Sequence, residues 1–272
     1  MEIWWGYRVQ DTLAFLTNRF ISKLLTAYGI LLKGSYHKAQ RWRDTLPHIG
    51  STHFPFDLTK RFYYVPKYKL WLDGQAWNWE PDYPLEWLEG IQPNTIGIDV
   101  GAHRGYFSLI VGRRVLPAGK IVALEPAPLN YFYLLHNLAF NQGNWILPLP
   151  FAAWDTRCEL SLQMPPSHSF GTYLFSVAER EGTLRVPAIP LDEVVRLASL
   201  EKVDWIKIDV EGSELKVIEG GRHILSEYKP VLWIEFHIPV DEVENTLRKV
   251  GYKIIAHKGG YNHGSIWAIA QT

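Results

Sequence analysis

Carboxylates recur where short apolar runs of this chain end, and they do so beside glycines. Ile96, Ile98 and Val100 read as a buried strand carrying Asp99, and Gly101 and Gly105 bracket a tight turn into an apolar helix. Glycines in such a turn let backbone approach a ligand where a Cβ would clash. A second apolar run, residues 120–124, ends at Glu125-Pro126. An acidic group roughly 20 positions past the first turn, at a strand tip, can bond both hydroxyls of an adenosine ribose. A third run, Trp205-Ile-Lys207-Ile-Asp209-Val-Glu211-Gly212-Ser-Glu214, ends in carboxylates and a glycine. Strand alternation puts Lys207, Asp209 and Glu211 on one face if the chain stays extended, and does the same for Glu235 and His237 in Trp233-Ile-Glu235-Phe-His237. His237, with an ordinary pKa near ~6.5, is the side chain suited to take a proton, and Glu235 would orient it or hold that proton. Asp209, Glu211, Glu235 and His237 could instead hold a divalent metal, their oxygens and imidazole suiting Mg, Mn or Fe over thiolate-seeking Zn. No His-x-x-x-His spacing supports that alternative. Glu214 falls in the first turn of the next helix, where the dipole alone accounts for its charge.

Positioning these groups requires strands whose carboxyl ends share an edge. The pattern predicts strands near 95–100, 120–125, 145–151, 203–209 and 231–236, and helices near 105–115, 128–141, 192–199 and 213–226. Strands alternating with helices predict a Rossmann-like α/β fold, with a mainly parallel sheet and helices on both faces. Tyr252 to His257 and Ser265 to Ala270, joined across Gly259-Gly260, read as an antiparallel C-terminal hairpin. Between Cys158 and Leu191, Gly171, Gly182 and several prolines break the periodicity, which predicts short strands and a loop. A dinucleotide-dependent dehydrogenase is disfavoured, because His103 stands where a Gly-x-Gly-x-x-Gly turn needs bare backbone.

Asp99-Val-Gly-Ala-His-x-Gly105, Glu125-Pro-x-Pro-x-Asn130 and Ile206-Lys-Ile-Asp-Val-Glu-Gly-x-Glu214 resemble, in order and spacing, the signatures of the FkbM-type methyltransferases. The resemblance spans about residues 94 to 270 and extends to Glu235-x-His237. It implies a class I methyltransferase fold, a seven-stranded sheet ending in the antiparallel hairpin, and S-adenosyl-L-methionine as cofactor. It also implies that Gly101, Ala102 and Gly105 line the methionine portion, with Asp99 near its ammonium group. Glu125, with Pro126, would take the ribose, and Ala152-Ala153-Trp154-Asp155 would border adenine. Asp155 could accept from the exocyclic amine or serve a turn. Asp209 would border both cofactor and acceptor, making Asp209, Glu235 and His237 the catalytic candidates.

The remaining residues bound the partners. Of 272 residues, 28 are basic and 28 acidic, so no global charge favours a polyanion. RNA binding would call for a basic stripe with stacking aromatics; His37-Lys38-Ala-Gln-Arg41-Trp42-Arg43 is the only local candidate, and it reads equally as a solvated helix face. A single cysteine, Cys158, excludes an internal disulfide and fits a reducing, cytoplasmic setting. The chain starts without a secretory signal pattern. Residues 1–92 read as a helical and aromatic-rich extension, and residues 93–272 as the methyltransferase domain. Seven of the 12 tryptophans lie in the extension: Trp4, Trp5, Trp42, Trp71, Trp77, Trp79 and Trp87. They suit core packing, an interface or an acceptor pocket. Leu13, Leu16, Phe20, Leu24, Tyr28 and Leu31 give residues 11–33 helical periodicity, with Arg19 and Lys23 interrupting any membrane span. That helix could pack on its own domain, lie on a membrane surface or join two subunits. The expected function is O-methyl transfer to a hydroxyl of a sugar, glycolipid or secondary metabolite, so the acceptor is a small molecule or glycan. RNA or protein methylation and a non-catalytic cofactor-binding scaffold are the alternatives.

Overall fold

In the computed structural model, residues 63–65, 70–72, 88, 90–163, 176–177 and 184–271 are described. The expected helix over 11–33, the basic segment 37–43 and six of the seven N-terminal tryptophans lie outside them. The chain divides into two units, residues 1–81 with 135–144, and residues 82–134 with 145–272. The first unit carries an antiparallel pair, β1 (Tyr63–Val65) and β2 (Leu70–Leu72).

The second unit is organised by a seven-stranded sheet. Its strands are β3 (Ile96–Val100), β4 (Lys120–Leu124), β5 (Ile146–Leu149), β10 (Trp205–Asp209), β11 (Val231–Phe236), β12 (Tyr252–Gly259) and β13 (Gly264–Ala270), in the order β12-β13-β11-β10-β3-β4-β5. The five strands from β11 to β5 pair in parallel, and β13 pairs antiparallel with both β11 and β12. This is the mainly parallel α/β arrangement that the alternation predicts, closed by the antiparallel hairpin, as the resemblance to a class I methyltransferase fold implies. Strands buried on both faces explain the continuous apolar runs: Ile98, Val100, Ile121, Val122, Leu124, Ile206, Ile208, Leu232 and Ile234 are all buried. Pro148 is tolerated in β5 because that strand is the sheet's edge.

Helices α1 (Tyr106–Gly112), α2 (Pro128–Asn141), α3 (Leu191–Leu197), α4 (Glu214–Gly220), α5 (Arg222–Glu227) and α6 (Val240–Lys249) connect the strands. The pattern fails in two places. The single helix expected over 213–226 breaks at Gly221 into α4 and α5, and Gly220 packs so closely on the Trp154 carbonyl that an added Cβ would lie 1.9 Å from it. No helix is expected between 236 and 252, yet α6 is there, burying Val240, Val243 and Leu247 at helical spacing. Phe107 of α1 stacks on Trp233 at 5.8 Å and meets Trp205 edge-on at 6.1 Å, seating α1 over β10 and β11.

A second sheet, in the order β6-β9-β7-β8, is built from β6 (Ala152–Ala153), β7 (Cys158–Gln163), β8 (Ser176–Val177) and β9 (Leu184–Ile189). It occupies the stretch expected to hold short strands, and buries Leu160, Leu162, Val186 and Ala188 against Ala127 and Ala152. Among the described residues, no helix is long and apolar enough to cross a membrane.

Candidate active site

The strand order reverses between β10 and β3, and ligands of open parallel sheets bind outside the carboxyl ends at that switch point. The ends of β3, β4, β10 and β11 bring two groups of polar residues to this edge.

The first group fastens the turn after β3. Gly101 has φ +73°, and an added Cβ would lie 1.8 Å from the Asp209 carbonyl, so only glycine lets this turn close on β10. The amides of Gly101 and Ala102 both donate to the Leu124 carbonyl at the end of β4, at 3.0 and 2.8 Å. The Lys207 ammonium donates to the Gly101 carbonyl at 2.9 Å. Glu125 completes the fastening. Its Oε2 accepts from the His103 amide at 2.8 Å, and its Oε1 accepts from the Ala127 amide at 2.9 Å and from Asn130 Nδ2 at 3.4 Å. Glu125 therefore caps its own turn and ties it to the β3 turn, and Oε2, which accepts from one donor here, keeps a lone pair for another. Burial pushes its carboxyl up to about 7, against the lowering effect of the Ala127 and His103 amides.

Asp99 does not open onto this edge. It is fully buried, accepts from Ser108 Oγ at 2.6 Å and sits 3.3 Å from Lys207 Nζ. Expected beside a cofactor's ammonium group, it is paired here with the protein's own. Lys207 also reaches Asp209 Oδ2 at 3.2 Å. Burial alone would lower the Lys207 pKa, but Asp209 and Asp99 outweigh it and hold the ammonium above the ordinary lysine range.

The second group gathers at the ends of β10 and β11. Asp209 and Glu235 are register partners on adjacent parallel strands. Glu211 lies past the end of β10 with φ +52°, a left-handed conformation uncommon for a side-chain-bearing residue, and its Oε2 stands 3.5 Å from His237 Nε2. The other ring nitrogen of His237, Nδ1, lies 3.4 Å from Glu214 Oε1, which also accepts from the Gly212 amide at 2.9 Å. The partner expected to orient His237 was Glu235; the structure gives that place to Glu214 and Glu211, because the Gly212 turn swings the start of α4 behind the ring. Glu235 instead faces His263 Nε2 at 3.5 Å. The hydrogen bond to Glu214 pushes His237 up to about 9 against the opposing effect of burial, with the charges of Glu211 and Asp209 adding to the rise. The residue expected as base thus already carries a proton at neutral pH. Burial raises both Glu211 and Glu235, and for Glu235 the Asp209 charge adds to it.

Glu214 and His263 are the residues the pattern did not single out for this site. Glu214 is wholly buried, not merely placed for the helix dipole. His263 belongs to the β12–β13 turn, and only the hairpin register brings it to β11. Two further expected residues follow the carboxyl end of β5 and have protein partners of their own. Asp155 pairs with Lys216 at 2.6 Å, which holds its carboxyl below the usual range, and it lines a surface pocket with Pro190, Asp192, Glu193, Arg196, Glu219 and Gly220. Ala153 is buried in β6, paired with Ile189 of β9.

Known proteins resemble this chain. It is 28% identical over 159 residues to the hexuronic acid methyltransferase AglP of Haloferax volcanii, a match covering 58% of this chain and 63% of that protein. It is 28% identical to methyltransferase sdnD of Sordaria araneosa, over 49% of this chain and 62% of that one. The chain thus spans less than two thirds of either relative. Among solved structures, methyltransferase FkbM from Methylobacillus flagellatus is 16% identical with a TM-score of 0.47, covering 71% of this chain and 47% of that one. Aeropyrum pernix fibrillarin, in complex with natively bound S-adenosyl-L-methionine, is 15% identical with a TM-score of 0.46, covering 78% of this chain and 83% of that one. The methyltransferase FkbM domain matches residues 99–254, more than half of the chain, and the chain belongs to that family.

Proposed function

We propose that the protein transfers the methyl group of S-adenosyl-L-methionine to a hydroxyl of a sugar-like acceptor. The observation that carries this reading is the joining, at one sheet edge, of a buried carboxylate on the β4 turn with a carboxylate–imidazole cluster at the ends of β10 and β11. The cofactor would lie along the β3 and β4 turns, a ribose hydroxyl donating to the lone pair that Glu125 Oε2 retains. Its sulfonium would point to Asp209, whose negative charge favours a cation there.

Methyl transfer proceeds in line. The acceptor O–H breaks, the O–C bond forms as the S–C bond breaks, and the proton leaves to a carboxylate of the cluster, Asp209, Glu211 or Glu235, beside the protonated His237. Most of the rate comes from holding acceptor oxygen, methyl carbon and sulfur in line with water excluded. An alcohol also needs its proton removed, which is why a site rich in carboxylates suits a hydroxyl. A sugar-like acceptor is supported by the hexuronic acid methyltransferase among the relatives.

The test is transfer of labelled methyl from S-adenosyl-L-methionine to monosaccharide and uronate glycoside acceptors, with RNA and protein substrates as comparison. Sugar labelling that falls ~10²–10⁴-fold in Asp209→Asn, within the range for removing a group that takes the proton, supports the proposal. Labelling of RNA or protein alone, or an unchanged rate in Asp209→Asn, overturns it.

A further inference from the structure

We propose that Glu235, His237 and His263 form a divalent-cation site, flanked by Asp209 and Glu211, at the place where the acceptor arrives. One ligand atom from each of Glu235, His237 and His263 lies within 4.8 Å of the others, and the same holds for Asp209, Glu211 and His237. His237 belongs to both sets, so a single ion beside it can draw donors from either side. The His237 and His263 rings lie with centroids 4.9 Å apart, tilted 52° to one another, and Glu235 is within 3.5 Å of His263 Nε2. Two imidazoles and a carboxylate converging from different elements, with a mouth left open, are the donor set of an ion that keeps positions for water and substrate. The openness is real: the His263 side chain is 67% exposed and that of Glu235 33%.

A second observation points the same way. Glu214 is 0% exposed, and its Oε1 stands behind His237 at Nδ1, on the side away from the cluster's mouth. Its Oε2 is buried with no hydrogen-bond partner among the described residues. A carboxylate held behind the far nitrogen of an imidazole fixes the ring so that the other nitrogen serves as ligand, and it raises that ligand's basicity. Charge argues likewise. Asp209, Glu211, Glu214 and Glu235 crowd a space they share with Lys207, itself paired with buried Asp99, and with the His237 imidazolium, whose Nε2 proton a bound ion would displace. An added cation relieves that repulsion. No cysteine belongs to either set, so oxygen-tolerant ions such as Mn²⁺, Mg²⁺ or Fe²⁺ suit the site. The ion's use rests on the methyl-transfer reading: an acceptor hydroxyl on the cation becomes more acidic, and Asp209 or Glu211 receives its proton as the O–C bond forms.

Binding can be tested without catalysis. Full-length protein, stripped with chelator and dialysed, is titrated with Mn²⁺ while the free ion is followed by electron paramagnetic resonance. Saturable uptake of one ion is expected. Glu214→Gln should weaken it ~10–100-fold, the range for removing a group behind a metal-bound histidine. His263→Ala, an exposed turn substitution that leaves the core untouched, and Glu235→Gln should each weaken it at least as much. Wild-type uptake no tighter than that of His263→Ala, or uptake that never saturates, overturns the site. Mn²⁺ bound as expected without methyl transfer overturns the activity and leaves the site standing. Methyl transfer at full rate in protein that takes up no Mn²⁺ overturns the site and leaves the activity.

Discussion

Glu125 shows how one side chain can serve fold and ligand together. Its carboxylate holds the β3 turn to the β4 turn through the His103 and Ala127 amides, so the surface proposed for a ribose is set by the same bonds that close the loops. Because burial raises its pKa to about 7, the folded state favours the protonated form. Its contribution to stability is therefore fully present below the ordinary carboxyl pKa of ~4.3 and fades as pH rises through about 7. Glu125→Gln removes that titration. The stability of wild type minus that of the variant, from urea unfolding, should fall with rising pH by roughly 3 kcal/mol in all. A difference that stays flat across that range would show that Glu125 titrates normally. Lys207 is a contrasting case: its charge is fixed by two carboxylates, and removing one partner of such a buried pair typically costs about 3–5 kcal/mol. Its role was hard to read beforehand, since strand alternation places Lys207 beside Asp209 but says nothing of Asp99 on the neighbouring strand.

At the scale of elements, legibility followed hydrophobic density. Strands β3, β4, β10 and β11 are nearly continuous apolar runs, and α2 spans Pro128–Asn141, the same bounds its pattern predicts. Helix α6 escaped because only Val240, Val243 and Leu247 in its ten residues are buried, among acidic, basic and amide side chains. Its signals were local. Pro239 precedes the helix, Asp241 and Glu242 fall in its first turn, and Arg248 and Lys249 in its last, matching the dipole at both ends. Glu244 and Arg248 pair at 2.8 Å across one turn. The three buried side chains carry the helix, so Leu247→Ala should lower stability by about 2–5 kcal/mol through loss of burial and the cavity left behind. Glu244→Ala, at the exposed pair, should change it by less than about 0.5 kcal/mol. Equal effects from the two would mean α6 is held by its surface pairs rather than by its packing. The candidate site shows the same limit: Glu235-x-His237 is readable within one strand, whereas His263 and Glu214 reach that histidine from a hairpin turn and a helix start.

On the scale of the larger unit, residues 82–134 and 145–272, the strand order divides the edge into two halves that a single cofactor would have to span. β3 and β4 carry the turn and Glu125, and β10 and β11 carry Asp209 and the cluster. A ligand bridging both halves binds only the folded sheet, so it stabilises the whole unit by mass action: at ~100 times its dissociation constant it adds about 2.7 kcal/mol. S-adenosyl-L-methionine or its demethylated product should therefore raise the melting temperature of the wild-type protein. The variants separate binding from mere stability. Leu247→Ala lies in α6, away from either half of the edge, so it should melt earlier yet keep the full ligand-induced rise. Glu125→Ala, once shown by circular dichroism to be folded, should lose most of that rise, because the ribose contact is gone and the two turns are no longer tied. A full rise in folded Glu125→Ala would move the ribose to another group on the same edge. No rise in the wild type at any cofactor concentration would remove S-adenosyl-L-methionine from the reading altogether.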